Sequence, residues 1–257
     1  MDHVIIALAA LAASALTLFS GFGLGTLLMP VFALFFPLDI AIALTAIVHF
    51  LNNLFKLVLL GRHTDRGVLV RFGLPAIAAS FAGAYLLVTL SDLAPIASWS
   101  AGGGIWHLRP VSLAIAVVMI VFAALELTPR LEHLHVDRRH LVAGGFLSGF
   151  FGGLSGHQGA LRSAFLMHAG LTKESFIATG VTIACLVDVT RLGMYAGHLR
   201  SDALAPNVGL LVTATLAAFL GAYVGSRLMT KVTMRAVQRV VAVMLVVIAV
   251  LLGSGLI

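Results

Sequence analysis

Charged side chains are what this sequence has least of: Asp, Glu, Lys and Arg together make up 10% of 257 residues, against 60% hydrophobic. That is too little charge to cover a soluble domain, so an ordinary soluble fold is excluded and a polytopic membrane protein is implied. Cysteine is reduced to Cys185, inside an apolar segment, which excludes a disulfide framework and a cysteine metal site. The first apolar run has no basic stretch before it and no clear small-residue cleavage site, so it reads as a membrane segment and not a removable signal. The glycine runs have no Lys-Ser or Lys-Thr after them and no strand pattern before them, which excludes phosphate-binding loops. His133, His135 and His140 fall in or beside a basic linker at no metal-ligand spacing, and His168 lies near a segment end. No cofactor or metal is expected. The net charge of +6 and a pI near 10.2 would suit nucleic acid, but the basic residues lie in short loops between apolar runs. Orientation in a membrane accounts for them, and nucleic acid is not an expected partner.

What is present is a series of apolar runs at roughly 4–19, 24–37, 40–61, 68–91, 110–127, 139–152, 158–170, 173–197, 204–228 and 235–256. The first two and the sixth and seventh fall short of the ~20 residues of a full span and read as two broken elements. The second of these, between Gly144 and Gly170, carries Ser155, His157, Gln158 and Arg162 within two turns of Gly152, Gly153, Gly156 and Gly159. In hydrocarbon, irregular backbone is tolerated only where protein buries it or it lines a cavity, and an intramembrane charge marks a functional site. The plainer reading makes these glycines helix contacts and Arg162 a membrane-edge residue.

The chain also repeats itself. Ser20-Gly21-Phe22-Gly23 recurs as Ser148-Gly149-Phe150-Phe151; Asn53, Lys56 and His63 fall opposite Asp188, Arg191 and His198; Gly83-Ala84-Tyr85 recurs as Gly221-Ala222-Tyr223. The expected organisation is therefore one transmembrane repeat over 1–127, a polar cytoplasmic linker over 128–138 and a second repeat over 139–257. If each broken element crosses the membrane an even number of times, as a re-entrant loop or two short tilted spans, then Arg62, Arg66, Arg71, Arg130, Arg138, Arg139, Lys173, Arg227, Lys231, Arg235 and Arg239 share one side. Only Arg109 and Arg200 are left opposite. Each half then has an odd number of crossings, so the halves are inverted and both termini lie outside. The expected fold is all-α and polytopic, two inverted repeats, each with a broken helical element and three full transmembrane helices; a parallel duplication is the alternative. Secondary transporters build midplane sites from such repeats.

The start of a helix after a break offers free N–H groups and a positive dipole end to an anion. In the first repeat that start lies near Gly25-Thr26, after Gly23; in the second it lies near His157-Gln158-Gly159, with Arg162 one turn in and Ser155 just before. Arg162, His157, Gln158, Ser155, Gly23, Gly25 and Thr26 are the expected contacts for an anionic substrate. Lys56 and Arg191 are secondary contacts, or else residues that snorkel to the cytoplasmic boundary. His49, Asn52 or Asn53, and Lys56 share one helix face. Asp188 stands i,i+3 from Arg191, as its structural partner or as a proton site, and Asp188 or His49 would handle a coupling proton. Trp99, Trp106 and Tyr195 read as interfacial anchors. A rival class rests on Gly153-Leu154-Ser155-Gly156, the GxSG form of rhomboid-type intramembrane serine proteases, with Ser155 as nucleophile and His157 or His198 as base. The first repeat has no such motif, which disfavours an enzyme.

Gly21-Phe-Gly-Leu-Gly-Thr-Leu-Leu-Met-Pro30, followed by Leu38-Asp-Ile-Ala-Ile-Ala-Leu-Thr45, resembles the opening of the TauE/SafE family of sulfite exporters, and Gly144 through Gly221-Ala-Tyr-Val-Gly225 is similar to its second repeat. The resemblance covers nearly the whole chain. It implies a multi-pass transporter of the bacterial inner membrane for sulfite, other small sulfur oxyanions or organosulfonates, with some members handling other organic anions. An exporter of a small anion driven by a proton gradient is the reading it supports, and an anion channel is the transport-class alternative. The second repeat departs from the family pattern at Gly156-His-Gln-Gly-Ala-Leu-Arg-Ser163, where an added Arg and His strengthen the case for an anion. The expected partners are that anion and the lipid bilayer, with the oligomeric state open between monomer and homodimer.

Overall fold

The computed structural model describes residues 2–20, 24–101, 104–128, 138–197, 207–228 and 234–257. Ten helices are described: α1 (Asp2–Ser20), α2 (Leu24–Ala33), α3 (Leu38–Leu60), α4 (Arg66–Ser91), α5 (Pro110–Glu126), α6 (Leu141–Ser155), α7 (Gly159–Leu166), α8 (Lys173–Ala196), α9 (Val208–Leu228) and α10 (Met234–Gly253). By length and composition, α3, α4, α8 and most of α9 can each cross a membrane. At about 1.5 Å per residue, the 10 residues of α2 reach ~15 Å and the 8 of α7 ~12 Å, so neither spans alone.

Local chemistry sets the helix ends. Asp65 caps α4 by accepting from the Val68 N–H at 2.8 Å, and Thr172 caps α8 by accepting from Ser175 N–H at 3.2 Å. Early in α4, residues 69–73 widen into a π-turn just before Pro75, which has no N–H to give the ladder. Helix α6 stops at Gly156, whose φ of 81° ends the run in the left-handed region.

The bundle is apolar outside and holds a cluster of polar side chains within an apolar core. Val58, Val117, Leu216 and Val243 face outward, while His49, Asn52, Asp188 and Arg191 are buried. With lipid as the solvent, apolar burial does little to join helices, and close backbone contact does more. Gly145, Gly149 and Gly153 form a stripe on α6 against α4: a Cβ at each would lie 2.3, 2.1 and 2.1 Å from the carbonyl oxygens of Phe72, Ala76 and Ser80. On α9, Gly221 and Gly225 meet α1 in the same way, 2.2 and 2.7 Å from the oxygens of Leu11 and Ala15. In both pairs the residue numbers rise together, so the helices run parallel. Two further pairings, α3 with α8 and α5 with α10, complete the bundle.

One feature lies outside the all-helical expectation. Ala97–Ala101 (β1) and Gly104–Leu108 (β2) form an antiparallel hairpin between α4 and α5, with Trp99 opposite Trp106. The two tryptophans thus sit on a loop ribbon, not at helix ends. The chain after α10 returns to this hairpin: a Cβ on Gly255 would lie 2.9 Å from Trp99 Cη2 and 3.1 Å from the His107 oxygen.

Candidate functional site

The second break falls where the glycines and polar residues of 152–159 put it. Helix α6 ends at Ser155, Gly156 turns the chain, and α7 starts at Gly159. Gly159, Ala160 and Leu161 carry the first-turn N–H groups that a helix leaves without intrahelical partners. The first turn of α2 abuts this break: a Cβ on Gly25 would lie 3.4 Å from the Gly156 oxygen, 3.6 Å from Thr45 Cγ2 and 3.9 Å from His49 Cδ2. Thr26 is buried beside it. Gly23 lies outside the described residues, as do Gly21 and Phe22 before it and His198 after α8.

Around this junction runs a chain of buried polar contacts. Asp188 is fully buried and is shared by three groups: His49 Nδ1 lies 2.6 Å from its Oδ2, Arg191 Nε donates to Oδ1 at 2.9 Å, and Gln158 Nε2 donates to the same oxygen at 3.4 Å. The other face of Gln158 accepts from Arg162 Nη1 at 3.1 Å. Gln158 therefore links Arg162 to the carboxylate without letting the two touch. The amide nitrogen of Asn53 stands 3.1 and 3.2 Å from the two ring nitrogens of His49. Nδ1 is committed to Asp188, so the consistent network has Nδ1–H donating to the carboxylate and Nε2 accepting from Asn53. A proton added at Nε2 would face the Asn53 NH2 group and require that amide to turn its oxygen inward.

The other positive groups have different surroundings. Arg191 is fully buried; its Nη2 lies 2.8 Å from Asp188 Oδ1 without hydrogen-bond alignment, and its Nη1 donates to the Gly152 carbonyl at 3.4 Å. The guanidinium so sits at the C-terminal, negative end of α6, and a Cβ on Gly156 would come within 2.7 Å of it. Lys56 and Arg162 keep 7% and 8% of their surface exposed, where Asp188, Arg191, Gln158 and His157 have none. Neither is at the surface position a snorkelling residue takes. Among the described residues, Lys56 and Arg162 have no carboxylate within ion-pairing distance. Lys56 feels the charge of Arg162, and Arg162 in turn feels the Asp188 carboxylate across Gln158.

Ser155 and His157 belong to the break itself. The Ser155 hydroxyl donates to the Phe151 carbonyl at 3.1 Å, and His157 Nδ1 approaches it at 3.0 Å. The His157 ring packs on Phe122, with centroids 5.4 Å apart, and its Nε2 is buried without a partner among the described residues. Ser155 is 1% exposed, and its hydroxyl closes the last turn of α6 instead of meeting a water-filled groove.

Two contributors escaped the sequence reading. Tyr195, expected at a membrane interface, is buried and donates to the Gly153 carbonyl. It follows Asp188 by seven residues and Arg191 by four, the spacing of one helix face, which was the available signal. Asn52 and Asn53 could not be told apart by spacing. The fold assigns Asn53 to His49 and turns Asn52 toward Ser14 of α1, at 3.4 Å. Ser148 adds a bond to the Gln158 carbonyl at 3.1 Å. No group of three His, Cys, Asp or Glu that could hold a metal occurs among the described residues.

A bundle with apolar side chains outward, several charged side chains in its centre and the start of α2 set against the break between α6 and α7 is a multi-pass helical membrane protein with a buried polar site. The chain belongs to the Sulfite exporter TauE/SafE family, a family of membrane transporters, with residues 6–252 matching the family profile. No individually curated protein matches it.

Proposed function

We propose that the protein is a secondary transporter that exports a small anion, sulfite or an organosulfonate, across the bacterial inner membrane in step with protons. The observation that carries this reading is Arg162: a buried guanidinium one turn into α7, which starts where Gly25 of α2 abuts the α6–α7 break, and whose hydrogen-bonded side-chain partner among the described residues is the neutral Gln158. A buried cation with no carboxylate in contact is costly to keep, and a site that takes an anion explains its retention. The free N–H groups at the start of α7, with Thr26 and backbone near Gly25, would add contacts, and His157 Nε2 one more. Arg191 would hold Asp188 and the end of α6 in place. Asp188 and His49 would carry the coupling proton, and Gln158 would connect that pair to the anion.

The two halves, 1–127 and 139–257, are read as inverted repeats joined by the 128–138 linker. The pairing supports this. The parallel pair α4–α6 takes the fourth major helix of the first half and the opening helix of the second, and the parallel pair α1–α9 is the same combination with the halves exchanged. Between α8 and the matching α3 with the turn that follows it, contacts run oppositely: His49 meets Asp188, Thr64 meets Thr182 at 2.9 Å, and Asp65 N–H meets Thr179 at 2.9 Å. Matching helices that are antiparallel are what inversion requires. With the basic loops inside, the hairpin, the C-terminus docked on it and the N-terminus fall on the periplasmic side.

The test is flux of sulfite through liposomes carrying the protein. Arg162→Ala removes no partner of a buried carboxylate, so the variant should purify as a folded protein and lose sulfite flux. Wild-type flux in that variant would overturn the site.

A further inference from the structure

We propose that Arg138 is a positioning residue for anion transport: by holding the Ala169 carbonyl it ties the end of α7 to the start of α6, and so sets where Arg162 stands. The inference rests on the transporter reading, with Arg162 as the anion contact. It adds a residue remote from that contact, since Ala169 follows Arg162 by roughly 10 Å at helical rise.

Helices α6 and α7 form a wedge. Its point is the turn at Gly156, and at its open side stand Arg138, which begins the 3-10 turn leading into α6, and Ala169, which follows α7. Arg138 donates to the Ala169 carbonyl through Nε, at 2.8 Å, and through Nη2. The contact spans 31 positions of sequence and closes the wedge into a ring.

One leg of the wedge is anchored. Gly145, Gly149 and Gly153 of α6 lie so close to α4 that a Cβ on any of them would meet a backbone oxygen at 2.1 to 2.3 Å. The other leg is not: α7 has eight residues, too short a helix to persist without tertiary contacts. Near the point, Ser148 of α6 donates to the Gln158 carbonyl at 3.1 Å. Further along, the Phe165 ring covers Gly144, where a Cβ would come within 2.4 Å of it. Leu166 and Ala169 are buried with Leu141, Phe72 and Ile183. Apolar packing of this kind has no direction, whereas two donors on one oxygen do.

The local chemistry suits that fork. Ala169 stands in the turn that ends α7, where carbonyls lack intrahelical partners and the helix dipole is negative. Gly170 then turns the chain at φ 67°, and a Cβ on it would lie 2.8 Å from Arg138 Nη2, so glycine both permits the turn and leaves room for the guanidinium. A change in the angle between α6 and α7 pivots on the break and carries Arg162 with it, away from its bond to Gln158 at 3.1 Å. A helix cap without this role would alter stability and leave anion affinity alone.

The test compares sulfite flux in liposomes for the full-length wild type, Arg138→Gln and Arg138→Lys, with melting temperatures and sulfite binding of the purified proteins read from thermal shifts. Arg138→Gln should raise KM and the sulfite Kd at least about fivefold, which is ~1 kcal/mol, with kcat within about twofold of wild type and the anion-free melting temperature lowered by a few degrees at most. Arg138→Lys keeps one donor for the carbonyl and should recover part of the change. Gly170→Ala presses on the guanidinium from the other side, so it should raise KM too, and adding it to Arg138→Gln should raise KM no further. If Arg138→Gln does not fold, Gly170→Ala decides by the same criterion. An unchanged KM, with or without a lower melting temperature, would make Arg138 a helix cap and overturn the proposal. A Lys variant no better than the Gln variant would overturn it as well. So would a rise in KM that disappears in about 1 M salt, where surface charge is screened, because the exposed charge would then act by attracting the anion. If the wild type neither binds nor moves sulfite, the transporter reading fails and the proposal with it.

Discussion

Removing Arg191 and removing Arg162 should have opposite consequences, although both are buried arginines near the same carboxylate. Arg191 donates to Asp188 at 2.9 Å with both residues fully buried, so Arg191→Gln leaves a carboxylate with only His49 and Gln158 to balance it. Breaking a buried pair from one side costs roughly 3–5 kcal/mol, because the orphaned charge remains in a low dielectric. Asp188→Asn leaves the opposite orphan, a guanidinium against the Gly152 carbonyl, at a similar magnitude. The double variant leaves neither, so its loss should fall short of the sum by about 1–3 kcal/mol, the usual range for coupled neighbours. Arg162→Gln breaks one bond to a neutral amide and should cost about 1 kcal/mol or less. For a chain of this size each kcal/mol moves the melting temperature by roughly 2–4 °C, so the single variants of the pair should melt ~10 °C lower and Arg162→Gln near the wild type. Intrinsic fluorescence melting of the purified protein reads this directly. Additive losses in the Asp188 and Arg191 cycle, or an Arg162→Gln protein as unstable as Arg191→Gln, would refute the division of labour between the two arginines.

Other perturbations test the remaining parts. Gly149→Val should prevent folding to a stable monodisperse protein, since even a Cβ there would meet the Ala76 oxygen at 2.1 Å; Gly193→Ala, with nothing within 4 Å, should be neutral or stabilising by up to ~1 kcal/mol, and size-exclusion profiles separate the two. Gln158→Leu cuts the link between Arg162 and Asp188 while leaving the Asp188–Arg191 pair intact, so anion-stimulated proton movement in liposomes should fall at least about tenfold, roughly 1.4 kcal/mol of coupling, with the melting temperature lowered by a few degrees at most. Gly156→Ala combines a left-handed backbone with a methyl 2.7 Å from Arg191 Nη1; it should destabilise by about 1–3 kcal/mol and lower flux, and a wild-type melting curve would show that the turn is not held in this form.

Much of the site could be read before any fold was known, for reasons particular to a membrane chain. A charge in hydrocarbon is expensive wherever it lies, so Lys56, Arg162, Asp188 and Arg191 announce themselves by residue type. The break between α6 and α7 was equally legible, because four glycines in eight residues weaken a helix and polar residues inside it need partners. What spacing could not supply was direction. Asn52 and Asn53 differ by about 100° around α3, and only packing against α1 and α8 decides which one meets His49. Tyr195 had the periodicity of a buried residue and the composition of an interfacial one. The hairpin at 97–108 lacks strong alternation in its strands, and its local signal is confined to the Gly102-Gly103 pair between them, a two-residue turn sequence.

The sequence by itself determined that this chain lives in a membrane, where its helices run and break, and which side chains carry charge, because each of these follows from the cost of placing a residue type in hydrocarbon. The i,i+3 spacing already offered Arg191 to Asp188 within α8; tertiary structure alone decided that Arg162 does not reach that carboxylate and that Gln158 stands between them. The Gln158 contact joins residues 30 positions apart and exists only once Gly152 of α6 has packed against Gln158 and against Val187 of α8.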